Sequence, residues 1–379
     1  MVTLPSAAIG SARTKMKIKN IVAALEQRAP RTLQEEYDNS GLQVGDPEME
    51  VTSAMVCLDC TEAVVEEAAK HGCGLIISHH PVIFKGLKSL VARSYVERTI
   101  LLALKHGIAI YAIHTNLDNV IEGVNGEIAS ALGLKPLHVL DPKPGLLRKL
   151  VVFVPTDHAE ALRNALFQAG AGQLGAYDEC SFSADGVGTF RGGEGTNPFV
   201  GKRGDRHHEP EVRVETMYHV PNERAILAAM KTAHPYEEVA YDLYPLANDH
   251  PRVGNGLLGE WEKPMTEAEY LAKLKATFGL RAMRHTGLLG KPIRRVALCG
   301  GSGAFLIGKA IASGADAYIT GDVKYHQFFD VDGQLLLTDI GHYGSEQFTM
   351  RLLRNWLGEH FPTFAVRLTE TVTDPIYHY

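Results

Sequence analysis

The first third of the chain alternates between amphipathic stretches and short runs that are apolar throughout. Residues 20–29 have helical spacing and stop at Pro30. Residues 51–58 are an apolar run of strand length. Thr61 follows as an N-cap for a helix ending at Gly72, with Glu62 suited to its positive end. Residues 75–77 predict a short buried strand, cut off by Ser78-His79-His80-Pro81. A helix is expected over 95–106, with Gly107 after it. A strand over 108–113 then runs into His114-Thr115-Asn116-Leu117-Asp118, and a helix over 125–132 closes at Gly133. Strands apolar on both faces and separated by helices predict an α/β fold, a mostly parallel sheet covered by helices.

The last third repeats this grammar. A strand over 295–299 leads through Gly301-Ser302-Gly303 to a helix ending at Ser313, and a strand over 317–319 ends in Thr320-Gly321-Asp322. A strand over 335–337 precedes Asp339-Ile340-Gly341-His342, and 347–357 is an amphipathic helix. A shift of 242 positions lays Cys57 on Cys299, Gly72 on Gly314, Ser78 on Thr320 and His80 on Asp322. This predicts a duplicated strand–helix–strand unit. The middle differs: strand 150–154, helix 158–169, a Gly-rich loop 186–209, an alternating strand 212–218, helix 222–232 and an extended segment 240–244. Strand–helix–strand twice over predicts a ferredoxin-like α+β domain. The expected organisation is a disordered leader at 1–15, a discontinuous domain from 16–146 plus 254–379, and an inserted domain at 147–253.

Composition narrows the function classes. Over 379 residues, 38 Lys and Arg face 44 Asp and Glu, a net charge of −6, which argues against binding nucleic acid by bulk charge. No apolar run approaches the roughly 18 residues of a membrane span, and the first fifteen residues lack the apolar core of a signal peptide. Five scattered Cys fit reduced thiols in a cytoplasm better than a disulfide framework. The expectation is a cytoplasmic protein with a small-molecule substrate.

The 17 His direct attention to the strand ends, where ligands of an open α/β sheet collect. Four of these ends are polar: Ser78-His79-His80, His114 to Asp118, Thr320-Gly321-Asp322 with His326 four residues on, and Asp339 to His342 with Glu346 four residues on. His342 and Glu346 share a face at a helix start. His79 and His80 converge only if the strand has ended, which Pro81 favours. Three imidazoles and two carboxylates suit borderline divalent metals. They exceed the three protein ligands of one catalytic ion and match two ions sharing a carboxylate. His114, Asp322 and His326 are then candidates for orienting ligands or moving protons. Weaker signals are the single Cys57-Leu58-Asp59-Cys60, read as core thiols, and Gly300-Gly301-Ser302-Gly303, read as a close-packed turn rather than a phosphate cradle. His234-Pro235-Tyr236-Glu237-Glu238 is read as a turn.

Ser78-His79-His80-Pro81, His114-Thr115-Asn116-Leu117-Asp118, Thr320-Gly321-Asp322 and Gly341-His342-Tyr343-Gly344-Ser345-Glu346 together resemble the Ngg-interacting-factor-three-like family. Many bacterial members of that family carry the label GTP cyclohydrolase 1 type 2 homologue. The resemblance runs from about Met16 to Tyr379. Asn197-Pro198-Phe199-Val200-Gly201 and the turn at His234 make the middle similar to the PII/CutA-like insert of longer members. The resemblance implies a dinuclear centre on His79, His80, Asp118, His342 and Glu346, with Glu346 bridging, and a toroidal homohexamer. The expected function is a dinuclear metal-dependent hydrolase, GTP cyclohydrolase-like, using zinc, iron, manganese, cobalt or nickel. The alternative is a non-enzymatic metal-binding scaffold or regulator with a ligand-sensing insert.

Overall fold

A computed structural model describes residues 14–379 of the chain. The expected leader therefore lies outside the described residues, except for Thr14 and Lys15. The chain folds as two compact units, one from residues up to Pro142 with Pro251–Tyr379, the other Lys143–His250. Among the described residues no helix is long and apolar enough to cross a membrane.

The first unit holds two mixed sheets where the sequence predicts one mostly parallel sheet. One sheet has the order Ala365–Leu368, Ser53–Cys57, Leu75–Ser78, Ala109–Ala112, Gly41–Val44, parallel up to its last, antiparallel strand. The other has the order Arg284–His285, Leu336–Asp339, Ala317–Gly321, Ile293–Ser302, Gly254–Met265, Lys135–Pro142. Only Leu336–Asp339, Ala317–Gly321 and Ile293–Ser302 run parallel there. The unforeseen antiparallel strands, Lys135–Pro142 and Gly254–Met265, carry Lys, Pro and Gly and lack a clean period. Their pairing comes from chain far away in sequence, which no local window sees.

The two sheets share a register. Ala54 pairs with Leu75 and Val56 with Ile77, while Val296 pairs with Ala317 and Leu298 with Ile319. These are the same pairings under the shift of 242. In both, the helix between the strands stops at a left-handed glycine, Gly72 (φ +68°) and Gly314 (φ +69°). Thr61 caps the first helix, accepting from Val64 N at 3.4 Å.

The second unit runs β–α–β–β–α–β, with an antiparallel sheet ordered Tyr241–Pro245, Leu147–Pro155, Arg206–His219, Ser181–Arg191. Alternate residues Leu150, Val152 and Val154 pack on Leu162, Leu166, Ile226 and Met230 of its two helices. The Gly-rich stretch expected as a loop is mostly a hairpin, Ser181–Arg191 with Arg206–His219. Its glycines mark close approach rather than a break: a β-carbon at Gly188 would fall on the Glu211 carboxylate.

Candidate metal centre

The carboxyl ends of parallel strands from both sheets of the first unit converge, and each end is shaped locally. Beyond Ser78, His79 N and His80 N still donate to Cys57 O (3.1 Å) and Leu58 O (2.9 Å), and Ser78 Oγ donates to His80 O at 2.8 Å. This tightened backbone brings both rings to one side, with centroids 4.9 Å apart. After Ala109–Ala112 the chain makes one helical turn, Thr115–Asp118. Buried Asp38 pins that turn by accepting from His114 Nδ1 at 2.7 Å and Thr115 N at 3.0 Å. Another single turn, His342–Glu346, starts after Gly341, whose φ of +78° swings the chain out of its strand. Gly301 packs against that turn, donating its N–H to Ser345 Oγ at 2.9 Å.

The imidazoles are anchored through Nδ1 and turned inward through Nε2. His79 Nδ1 donates to Ile113 O at 2.8 Å, His80 Nδ1 to Asp59 Oδ1 at 2.8 Å, and His342 Nδ1 to Asp322 Oδ2 at 2.7 Å. Inside, His80 Nε2 lies 2.9 Å from Glu346 Oε2 and 3.2 Å from His342 Nε2. His79 Nε2 lies 3.6 Å from Asp118 Oδ1 and 3.7 Å from Glu346 Oε1. The ligand atoms of His79, His80 and Glu346 all fall within 4.8 Å of one another, so this cluster could hold a metal ion.

The electrostatics fit a cation. His79 is fully buried, and its Nδ1–H is committed to Ile113 O. Its Nε2 and Asp118 Oδ1 are buried without a hydrogen-bond partner. That Nε2 edge faces carboxylate oxygens 3.6 and 3.7 Å away, an arrangement that calls for positive charge, a proton or a metal ion, between them. Burial opposes charge on His80, but hydrogen bonds to Asp59 and Glu346 win and raise its pKa to about 9. Asp322 and Glu346 raise His342 to about 11, again against burial. Burial opposes the Glu346 carboxylate too, yet the surrounding imidazoles, led by His79, hold it well below the usual range. Asp118 moves the other way, raised by burial and the Glu346 charge. The interior nitrogens of His80 and His342 thus hold protons strongly between the carboxylates; imidazole and carboxylate, once a metal displaces those protons, are the donor set of a divalent transition metal.

Residues 16–375 match the profile of the family described as Duf34/NIF3 (NGG1p interacting factor 3). The chain belongs to that family. Proteins named GTP cyclohydrolase 1 type 2 homolog, from Halalkalibacterium halodurans and Bacillus subtilis, are 42% and 39% identical over 333 and 330 residues. Each alignment covers 86% of this chain, and 89% and 88% of the relatives. The crystal structure of a Bacillus cereus protein related to NIF3 matches with a TM-score of 0.84 and 36% identity, covering 97% of this chain and 100% of that one. HcgD from Methanocaldococcus jannaschii shares the fold, with a TM-score of 0.57 at 18% identity, covering 95% and 100%.

In this Duf34/NIF3 chain the structure brings His79, His80, Asp118, His342 and Glu346 to one place, with Asp322 on His342 and His114 edge-on to His79 and His80, 5.4 Å from each. It does not bring His326, which is exposed on the turn Tyr325–Phe329 with its ring on Tyr325. That turn is 3₁₀, so residues four apart do not share a face, and Asp322 sits before it at a left-handed φ of +55°. Sequence reasoning missed Asp38 and Asp59, the carboxylates behind His114 and His80. A signal was available for Asp59, since it follows an apolar strand as Asp322 does.

Proposed function

We propose that this protein is a dinuclear metal-dependent hydrolase acting on a purine nucleotide, with a GTP cyclohydrolase-like ring opening as its reaction. The observation that carries the reading is His79 Nε2, buried and unpartnered, facing Asp118 Oδ1 and Glu346 Oε1. His79, His80, Asp118, His342 and Glu346 would hold two divalent cations, zinc, iron, manganese, cobalt or nickel. Glu346 suits the bridging role because its Oε1 faces His79 while its Oε2 faces His80 and His342. When bound, such a pair would supply an acidified water for attack on the ring carbon, and the C–N bond that breaks leaves a nitrogen that takes up a proton.

The chain's own residues supply the rest. Ile113 O, Asp59 and Asp322 fix the tautomer and angle of each ligand ring, which makes Asp322 a positioning residue. His114 donates Nδ1–H to Asp38, which leaves Nε2 as the atom that accepts and returns a proton. Its side chain is 17% exposed, enough to meet a substrate. Phe84, 6.3 Å from the His114 ring, and Tyr37, 6.4 Å from Phe84, are exposed and offer faces to a planar base. His326 takes no part. The name borne by the relatives, GTP cyclohydrolase 1 type 2 homolog, agrees with this reading.

The same reading takes the shared register of the two sheets as a duplicated unit and the Lys143–His250 segment as a PII/CutA-like insertion. It also includes a toroidal homohexamer, supported by exposed Leu87, Leu90, Val91, Tyr95 and Leu104. A cytoplasmic location agrees with five free thiols. Elemental analysis with anomalous scattering should find two ions per chain, and metal-loaded protein should turn over nucleotides in a screen that His79→Ala fails. Two ions retained by Glu346→Ala would overturn the ligand assignment. Metal-loaded protein inert toward nucleotides and cyclic amides would instead favour a metal-binding scaffold or regulator, a reading that the cavity described next also supports.

A further inference from the structure

The Lys143–His250 unit contains a cavity of about 720 Å³ that the metal chemistry does not use. Two sequence motifs without a role at the metal centre meet there. Asn197 N donates to Glu237 Oε1 at 2.9 Å, and the Phe199 and Tyr236 rings lie 6.3 Å apart. Phe190 adds a third ring 5.9 Å from Tyr236, and Phe153 completes the aromatic wall. On the same strand as Phe190, Ser181–Arg191, the small residues Ala184, Gly186 and Gly188 line the cavity with almost no side chain. Glycines weaken a strand and mark places where something approaches its backbone closely. Here they leave the hollow open.

One carboxylate is built into this hollow. Glu211 is 9% exposed, and Tyr236 OH donates to its Oε1 at 2.9 Å. Its Oε2 sits over Gly188, where any β-carbon would displace it. Asp185, Glu237 and Glu238 add negative charge around the wall, against Arg191 and Arg213. Arg213 is already paired with Glu215 at 2.9 Å. An aromatic enclosure with a buried acid and a net negative rim repels anions and attracts positive charge carried on an apolar body.

We propose that this cavity binds a small organic cation, a quaternary ammonium or alkylated amine, seated against Glu211 and the faces of Phe190, Phe199 and Tyr236. The site makes the unit a ligand-binding module in its own right, whatever the metal centre does.

Calorimetric titration of the full-length protein tests this with benzyltrimethylammonium, choline and 3,3-dimethylbutan-1-ol, the uncharged isostere of choline. Benzyltrimethylammonium should bind with a Kd of about 1 mM or tighter, and choline should bind about 10-fold or more tightly than its isostere. Glu211→Gln keeps an acceptor for Tyr236 OH yet should weaken the cations about 10-fold or more, with the metal content of the chain unchanged. Phe199→Ala, at a ring 53% exposed, should weaken them as well and guards against a folding defect in the first variant. The proposal is overturned by no binding of benzyltrimethylammonium up to about 10 mM, by equal affinities for choline and its isostere, or by full affinity in a folded Glu211→Gln protein.

Discussion

Gly301→Ala perturbs the proposed metal centre without removing any of its candidate ligand atoms. Gly301 has a φ of +63°, where an alanine costs roughly 1–2 kcal/mol. The added methyl would also fall on Glu346 Oε1 and lie 3.4 Å from His342 Cε1. Glu346 is 3% exposed, and its other oxygen is 2.9 Å from His80 and 3.2 Å from His342, so the carboxylate has little room to retreat. Overpacking of this kind adds roughly 1–3 kcal/mol. The sum, roughly 2–5 kcal/mol, reaches at most the lower end of the roughly 5–15 kcal/mol that holds an ordinary domain together, so the variant should fold. Its metal affinity should fall about 10–100-fold, as when a ligand loses its support, which corresponds to roughly 1.4–2.7 kcal/mol. Chelator-competition titration followed by elemental analysis reads the affinity, and urea denaturation reads the stability. Gly308→Ala is the control: it lies in the helix Ile307–Ala312 with nothing within 4 Å of its added methyl, and should be neutral or slightly stabilising. Wild-type metal affinity in Gly301→Ala would refute the placement of Glu346 at the ions.

Asp59→Asn should leave the fold intact and weaken metal binding about 10–100-fold, because His80 loses the carboxylate that fixes its ring; chelator titration measures it, and no change would count against His80 as a ligand. Glu67 accepts from Glu370 N, Thr371 N and the hydroxyls of Thr369 and Thr371. Burial opposes its charge, but these bonds prevail and lower its pKa from 4.5 to about 2. The stability they give is full above the unfolded pKa of 4.5 and drains away as the pH falls toward 2. The stability difference between wild type and Glu67→Gln should therefore shrink between those limits in denaturant titrations, and a constant difference would refute a stabilising role for the bonds to Glu67. Thr266→Ala removes a capping box shared with Glu269 and should cost about 1 kcal/mol in urea denaturation without altering metal content.

What could be read along the chain was whatever one element decides for itself. Apolar runs ending in His79-His80 or before His342 announce their strands, and Thr61 announces its helix. The i and i+4 spacing of His342 and Glu346 survives because that segment does form an α-turn. The same spacing between Asp322 and His326 fails because the backbone there is left-handed and then 3₁₀. Asp38 was illegible for another reason. Its role is set by His114, which reaches it only after distant chain has packed. Lys135–Pro142 and Gly254–Met265 likewise become strands because partners present themselves, not because of their own residues.

The cluster draws His79, His80 and Asp118 from one sheet and His342 and Glu346 from the other. A nascent chain exposes the first three long before the last two emerge. At ordinary synthesis rates that delay is roughly 10–50 s. On the proposed ligand set the cluster is incomplete until the turn His342–Glu346 joins it, so a chain cut before that turn should not hold metal.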